Sequence, residues 1–308
     1  MNNPGARAVL VGGGSGFIGG HLVNALRRRG DSVWVWTRNR DRARARLGSR
    51  VQAITALEEI PATTPIDAVV ALSGAPVIGP PWTRRRRQLL IDSRVKTTQT
   101  LLEWCARRPA PPRVLVAASA IGFYGPAGDD WLQESSPSAP SAFQSRLCVE
   151  REAAANAATA QGIRVVNLRI GLVLGPDGGI FPRLALPAKL GLAAVMGDGC
   201  QWMSWIHIVD LVRVLELVLE DASLRGALNA VAPAPVRQRE FQRELAQALH
   251  RPLWLRIPAF VLDGLLGEMA ELLVKGQRVA PHRLAQLGFE FQHGTLASAL
   301  QDLTRARS

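Results

Sequence analysis

The segment Gly13-Gly14-Ser15-Gly16-Phe17-Ile18-Gly19 constrains this chain more than any other. It lies between an apolar run at 8–11 and an amphipathic stretch from 17 to 29. Glycine at this density suits neither a helix nor a strand interior. The segment gains meaning from its place, directly after a buried strand and at the opening of a helix. Gly13 permits a tight turn and Gly16 the close approach of a ligand, because neither carries a Cβ. Gly19 lets the helix pack on the strand. The first helical turn, with Phe17 and Ile18, offers N–H groups that lack intrahelical partners and the positive end of the helix dipole. A diphosphate fits such a place, so these residues are read as a dinucleotide cradle. A plain glycine-rich turn is the alternative, and the strand-turn-helix context argues against it.

The first half alternates short apolar runs with amphipathic stretches, the pattern of a parallel sheet wound with helices. Strands are predicted at 8–11, 32–36, 51–54, 67–72, 113–117 and 164–168. Helices are predicted at 17–29, 84–107 and 143–160. After Arg169 the alternation breaks. The segment 175–179 reads as a loop, 203–208 as a short strand and 209–219 as a helix returning to the first unit. Two further helices, 237–249 and 258–273, belong to a separate cap. The expected class is α/β, a doubly wound Rossmann-type parallel sheet with a smaller C-terminal substrate or cap domain. The expected division is 1–170 with 203–230 for cofactor binding, and 171–202 with 231–308 for the cap. No repeats are present, and no disordered tract is expected beyond the first few residues.

The end of the second strand selects the dinucleotide. An NAD-binding chain places Asp or Glu there for the ribose 2′-hydroxyl. This chain has Thr37-Arg38. Arg38 can pair with the 2′-phosphate of NADP, which a carboxylate would repel, and Ser15 adds a hydroxyl donor. Asp41 is the competing candidate for the ribose. NADP is the expected cofactor.

Among 308 residues, 47% are hydrophobic and 20% charged, with a formal net charge of +12. That charge raises nucleic-acid binding. The bases are nearly all Arg and scattered over many helices, with one run at Arg84-Arg85-Arg86-Arg87, and no binding motif accompanies them. No nucleic-acid partner is expected. The opening residues lack an apolar leader core, and no run reaches the ~20 residues a membrane span needs. Cys105, Cys148 and Cys200 are far apart and form no C-x-x-C or metal-ligand spacing. The expected setting is the cytoplasm, with a small-molecule substrate and no membrane partner. A homodimer is compatible with the chain.

Further segments sharpen the picture: Ala71-Leu72-Ser73-Gly74-Ala75, Ser93-Arg94-Val95, Ala118 through Gly125, Arg169 through Gly175, and Trp205-Ile206-His207-Ile208-Val209-Asp210. With the glycine turn, they resemble the extended short-chain dehydrogenases/reductases. Gln201-Trp202-Met203-Ser204-Trp205-Ile206-His207 and the tail motifs Gly267-Glu268, Gln277 through Pro281 and Gly288-Phe289-Glu290-Phe291 are similar to their atypical sugar-nucleotide epimerase-like subfamily. That subfamily carries a C-terminal domain of undefined role. The resemblance spans nearly the whole chain. It implies dinucleotide contacts at Leu72, Ser73, Gly74, Arg94 and Val173, and a Ser119 that orients a substrate hydroxyl or carbonyl.

The usual proton relay of that family is a Tyr-x-x-x-Lys pair. Tyr124 is the single tyrosine here, and Gly128 stands four residues on. The helix expected to carry the pair reads Phe143-Gln144-Ser145-Arg146-Leu147. Ser119 and Tyr124 are therefore the catalytic candidates, each with a structural alternative as a turn serine and a packed aromatic. Glu150 is an acid-base candidate if buried, and a surface residue otherwise. Trp202 and Trp205 are candidates for an aromatic substrate wall. Arg94 interrupts an apolar pattern and suits a phosphate or carboxylate. His207 and Asp210 are expected to fix the strand-to-helix turn, with Asp210 capping. Nucleotide-sugar epimerases place an Arg, which holds the diphosphate, where Met203 stands here. Two functions remain open: an NADP-dependent oxidoreductase or epimerase on a small, carbohydrate-like molecule, and a non-catalytic NADP(H)-binding redox sensor or docking protein.

Overall fold

The computed structural model describes residues 6–49 and 51–305. Residues 1–5, on which the expectation of a disordered start falls, lie outside them. Seven strands form one parallel sheet: β1 (Ala8–Gly12), β2 (Ser32–Trp36), β3 (Gln52–Ile54), β4 (Ala68–Ala71), β5 (Val114–Ala120), and the strands Arg164–Ile170 and Gly226–Ala230. Their spatial order is Gly226–Ala230, Arg164–Ile170, β5, β4, β1, β2, β3. Gly12 pairs with Trp36 on one side and Ala71 on the other. The winding runs outward both ways from the β1–β4 pair, so the crevice for a ligand opens at their carboxyl ends.

The helices along the chain include, in order, α1 (Phe17–Arg28), α2 (Arg40–Leu47), α3 (Arg84–Asp92), α4 (Val95–Ala106), α5 (Phe143–Asn156), α6 (Phe181–Lys189), α7 (Ile208–Glu220) and α8 (Gln238–Ala248). Strand side chains alternate between the two sheet faces. Val9, Val11, Val70 and Val116 join Leu22 and Leu26 of α1 and Leu211 and Leu215 of α7 in one core. Leu10, Val69 and Leu115 face the other way, onto Leu101 and Trp104 of α4 and Ala155 of α5. Burial on both faces explains why these strands read as unbroken apolar runs. A further core gathers Phe181, Met203, Trp205, Phe241, Leu245 and Leu300, joining α6, α8 and the helix Leu296–Arg305. Among the described residues no helix is long and apolar enough to cross a membrane.

Several expected elements are divided. The helix expected at 84–107 breaks between α3 and α4, where the Ser93 hydroxyl donates back to the Leu90 carbonyl (3.1 Å) and accepts the Ala75 amide (3.0 Å). That side-chain bonding interrupts the helical ladder and brings Arg94 against the loop after β4. The helix expected at 143–160 tightens into a 3-10 turn over Ala157–Gln161. The stretch 258–273 is two short helices around a 3-10 turn that begins at Gly267. The loop expected at 175–179 is a hairpin, Leu172–Gly175 against Gly178–Gly179. The strand expected at 203–208 is two pieces, Trp202–Met203 and Trp205–His207, the second parallel to Leu172–Gly175.

Asp210 does not cap α7. His207 does, its Nδ1 accepting the Val209 amide at 3.3 Å. Asp210 is fully buried and accepts the Gln292 and His293 amides at 2.8 and 2.9 Å, tying the C-terminal chain to α7. Burial and the neighbouring His293 ring push the His207 pKa down to about 4, against the pull of Asp302 and Asp210. Between about 4 and 6.5 the unfolded chain therefore holds a proton that the folded chain refuses. Stability from this group is full above pH 6.5 and is lost as the pH falls toward 4. Urea midpoints at about pH 7.5 and about pH 5 should differ more in the wild type than in His207→Asn. Equal pH sensitivity of the two proteins would remove the assignment.

Candidate functional site

The glycine bend leaves β1 with Gly13 at φ +80°, a conformation that side chains rarely adopt. Gly13 donates to the Trp36 carbonyl at 3.2 Å, and Gly16 donates to the Gly13 carbonyl at 2.9 Å. A Cβ on Gly19 would stand 2.3 Å from that same Gly13 oxygen, so only glycine lets α1 start so near the strand. Gly16 occupies the N-cap without a capping side chain, and the first turn of α1 holds no acidic residue. The α1 N-terminus thus keeps its donors and its dipole for an anion. Leu72 donates to the Gly12 carbonyl at 2.9 Å, which sets the 72–75 loop alongside the bend. At the end of β2 the Ser15 and Thr37 hydroxyls lie 3.1 Å apart. Arg38 is exposed there, while Arg40 is taken by Glu59 and Arg46 by Asp177. Asp41 is exposed on α2.

A cavity of about 320 Å³ opens beyond the carboxyl ends of β5 and Arg164–Ile170. Ser119, Arg94, Trp202 and Met203 are in its wall, together with Phe143, Leu147 and Arg151. The structure therefore brings together three candidates drawn from distant segments, Arg94, Ser119 and Trp202. Trp202 is clamped: its Nε1 donates to Asp129 at 2.8 Å, and the guanidinium carbons of Arg237 and Arg278 lie 3.9 and 4.3 Å from its ring centre. Three candidates lie elsewhere. Trp205 is fully buried in the core of α6 and α8, its Nε1 on the Ala234 carbonyl, so it is core rather than substrate wall. Leu172 lines the cavity, and its neighbour Val173 is turned into the core below the sheet. Tyr124 is 2% exposed and is absent from the cavity wall.

Behind Ser119 runs a buried polar chain. The Ser119 hydroxyl donates to Glu152 Oε1 at 2.7 Å. Arg169 donates Nε to Oε1 and Nη2 to Oε2 of Glu152, at 3.0 and 2.9 Å. Its Nη1 donates to the Tyr124 hydroxyl at 3.0 Å, which in turn donates to Asn229 Oδ1 at 2.7 Å. Asn229 Nδ2 closes the chain on the Ala280 carbonyl. Burial works against the charge on Arg169, but the bidentate Glu152 outweighs it and its pKa is raised. Burial raises the Tyr124 pKa despite the opposing pull of Arg169. A hydroxyl with both positions taken and a raised pKa is a poor source of phenolate.

Glu152 and Arg151 were not among the sequence candidates, yet their signal was present. Phe143, Leu147, Cys148, Arg151, Glu152 and Ala155 all lie on the buried stripe of α5. Their spacing of three and four marks one helical face. Glu150, the residue singled out, falls off the stripe and is exposed.

Residues 9–230 match the NAD dependent epimerase/dehydratase family. The chain belongs to that family. Residues 257–303 match a domain described as of unknown function, DUF1731. The "Epimerase family protein YfhF" of Bacillus subtilis is 33% identical over 303 residues, covering 97% of this chain and 98% of its own length. A chloroplastic homolog of epimerase family protein SDR39U1 from Arabidopsis thaliana is 36% identical over 299 residues, covering 95% and 85%. The crystal structure of the human epimerase family protein SDR39U1, solved with NADPH, superposes with a TM-score of 0.87 at 32% identity, covering 97% and 99%. A Thermus thermophilus UDP-glucose 4-epimerase with NAD shares the fold, with a TM-score of 0.79 at 20% identity.

The two tryptophans should separate by experiment. Trp205→Ala is expected to cost about 3–5 kcal/mol of stability, because it empties a closed core. Trp202→Ala, at the cavity wall, should cost less than half of that. Denaturant titration of both variants checks this, and equal losses would contradict the division into core and wall.

Proposed function

We propose that this protein is an NADP(H)-dependent oxidoreductase or epimerase-like enzyme that acts at an alcohol or carbonyl of a small molecule. The observation that carries the proposal is the Ser119–Glu152 hydrogen bond at the cavity wall. Because Ser119 spends its proton on Glu152, its oxygen lone pairs remain to accept a proton from a substrate hydroxyl. That proton passes to the Ser119 oxygen as the serine proton passes to Glu152 Oε1. Arg169, held by both Glu152 oxygens, keeps the carboxylate in place. Bound NADP(H) would supply the hydride donor or acceptor for the substrate carbon. In this reading Ser119 and Glu152 take over the task of the missing Tyr-x-x-x-Lys pair, and Tyr124 braces Arg169 as a positioning residue.

Residues Gly13, Ser15, Gly16, Phe17, Ile18 and Gly19 would hold the diphosphate, with Leu72, Ser73 and Gly74 beside the ribose. NADP over NAD is supported by Arg38, whose exposed guanidinium stands at the end of β2 where a carboxylate would serve NAD. The NADPH of the human relative points the same way. We propose 1–170 with 203–230 as the cofactor unit and 171–202 with 231–308 as the cap. A reducing compartment such as the cytoplasm suits three free thiols. Met203 in the cavity wall supports a substrate other than a nucleotide sugar, because a thioether cannot neutralise a diphosphate. A redox-sensing role draws its support from the Tyr124–Asn229–Ala280 bonds, which link the sheet to the C-terminal segment.

Ser119→Ala tests the catalytic reading. Across a panel of small alcohols and carbonyls, turnover with NADP(H) should fall by about a hundredfold while cofactor affinity stays within about twofold. Wild-type protein that exchanges no hydride with any member of the panel would favour the sensor.

A further inference from the structure

We propose that Arg94 and Arg151 form an anion-binding end of the cavity, and that the substrate is a small carboxylate-bearing molecule with an apolar or aromatic remainder. The inference rests on reading this cavity as the substrate site, and adds the chemistry of what enters it. Both arginines line the cavity, and among the described residues no Asp or Glu does. Arg151 is 7% exposed. Its Nη2 donates to the Ala71 and Ser73 carbonyls at 2.8 and 3.2 Å, and its buried Nε has no partner among the described residues. Arg94 donates to the Ala75 and Leu90 carbonyls at 2.9 and 3.2 Å and to the Ser93 hydroxyl at 3.4 Å. All these acceptors are neutral.

Buried charges are normally paired. Arg169, behind Ser119, obeys that rule through Glu152. Lys275 at the cavity edge is matched by Glu271 at 2.7 Å. Arg94 and Arg151 have no such counter-charge among the described residues. Burial and the charge of Arg94 push the Arg151 pKa down to about 9, so it still carries its proton at neutral pH. Cys148 between them does not supply the missing charge, because burial and Glu152 hold its pKa up. Arg151 is buried and Arg94 half-buried, and two guanidinium groups so placed without a carboxylate are relieved by an incoming anion. A carboxylate presents two coplanar oxygens that match the guanidinium fork. Trp82, Phe143 and Leu147 supply an apolar and aromatic surface for the remainder. At about 320 Å³ the space is at the small end for ligand sites, which favours a compact acid over a nucleotide sugar.

The test is calorimetric titration of the NADPH-loaded protein with benzoate and with benzamide, which share a shape and differ in charge. Benzoate should bind saturably and benzamide at least about tenfold more weakly, as a charge-assisted pair requires. Arg151→Gln and Arg94→Gln should each weaken benzoate by about tenfold or more while NADPH affinity moves less than about threefold. The benzoate-benzamide comparison on the wild type stands if either variant fails to fold. Equal binding of the two probes, or no binding of either, overturns the proposal. So does a loss of about tenfold or more in NADPH affinity in Arg94→Gln, which would give the pair to the dinucleotide. Failure of NADPH itself to bind would overturn the proposed function instead, and benzoate titrated into the cofactor-free protein would still read the anion site.

Discussion

The contact between Gly19 and the Gly13 carbonyl fixes the distance from the start of α1 to the end of β1. A single methyl group at position 19 would fall 2.3 Å from that oxygen and push the helix away. With the helix held close, its uncapped first turn points over the end of the sheet, and the positive φ of Gly13 folds the connecting bend back beneath it. Everything downstream is referred to this corner. The 72–75 loop hangs from Gly12, Arg94 and Arg151 donate to the Ala75 and Ser73 carbonyls of that loop, and both arginines line the cavity.

Charge inside the molecule is handled in two contrasting ways. Glu152 and Arg169 are buried as a bidentate pair whose remaining hydrogen-bond positions are filled by Ser119, Tyr124 and the Glu134 carbonyl. Removing one partner of such a pair typically costs about 3–5 kcal/mol, because the other is left as an uncompensated buried charge. The pair therefore behaves as a rigid bracket that holds the serine at the cavity wall. Arg94 and Arg151, which line the same cavity, are supported by carbonyls and the Ser93 hydroxyl, with no carboxylate among the described residues. The first arrangement is complete in the protein by itself; the second is completed by a ligand.

Much of the fold was legible in the residues because burial on both sheet faces writes β1, β4 and β5 as plain apolar runs, and because Gly13 to Gly19 can serve few other purposes. The Arg38 and Ser119 positions followed from strand ends, which the sheet topology fixes. The breaks were less visible. Ser93 ends a helix through a bond to the Ala75 amide, a contact eighteen residues away that no local pattern announces. Trp205 and Trp202 are three apart in a strand region, where their burial differs because one sits under α8 and the other beside the cavity. Glu152 sits on the buried stripe of α5 because Arg169, from another element entirely, neutralises it, and no local pattern within α5 announces that partner.

The family match and the human relative solved with NADPH agree with a corner built for a dinucleotide. Isothermal titration of the purified protein with NADPH and NADH tests that claim most directly. Saturable binding of both at one site per chain is expected, with NADPH tighter by about tenfold through the 2′-phosphate and Arg38. A titration without heat or saturation for either nucleotide would contradict the account.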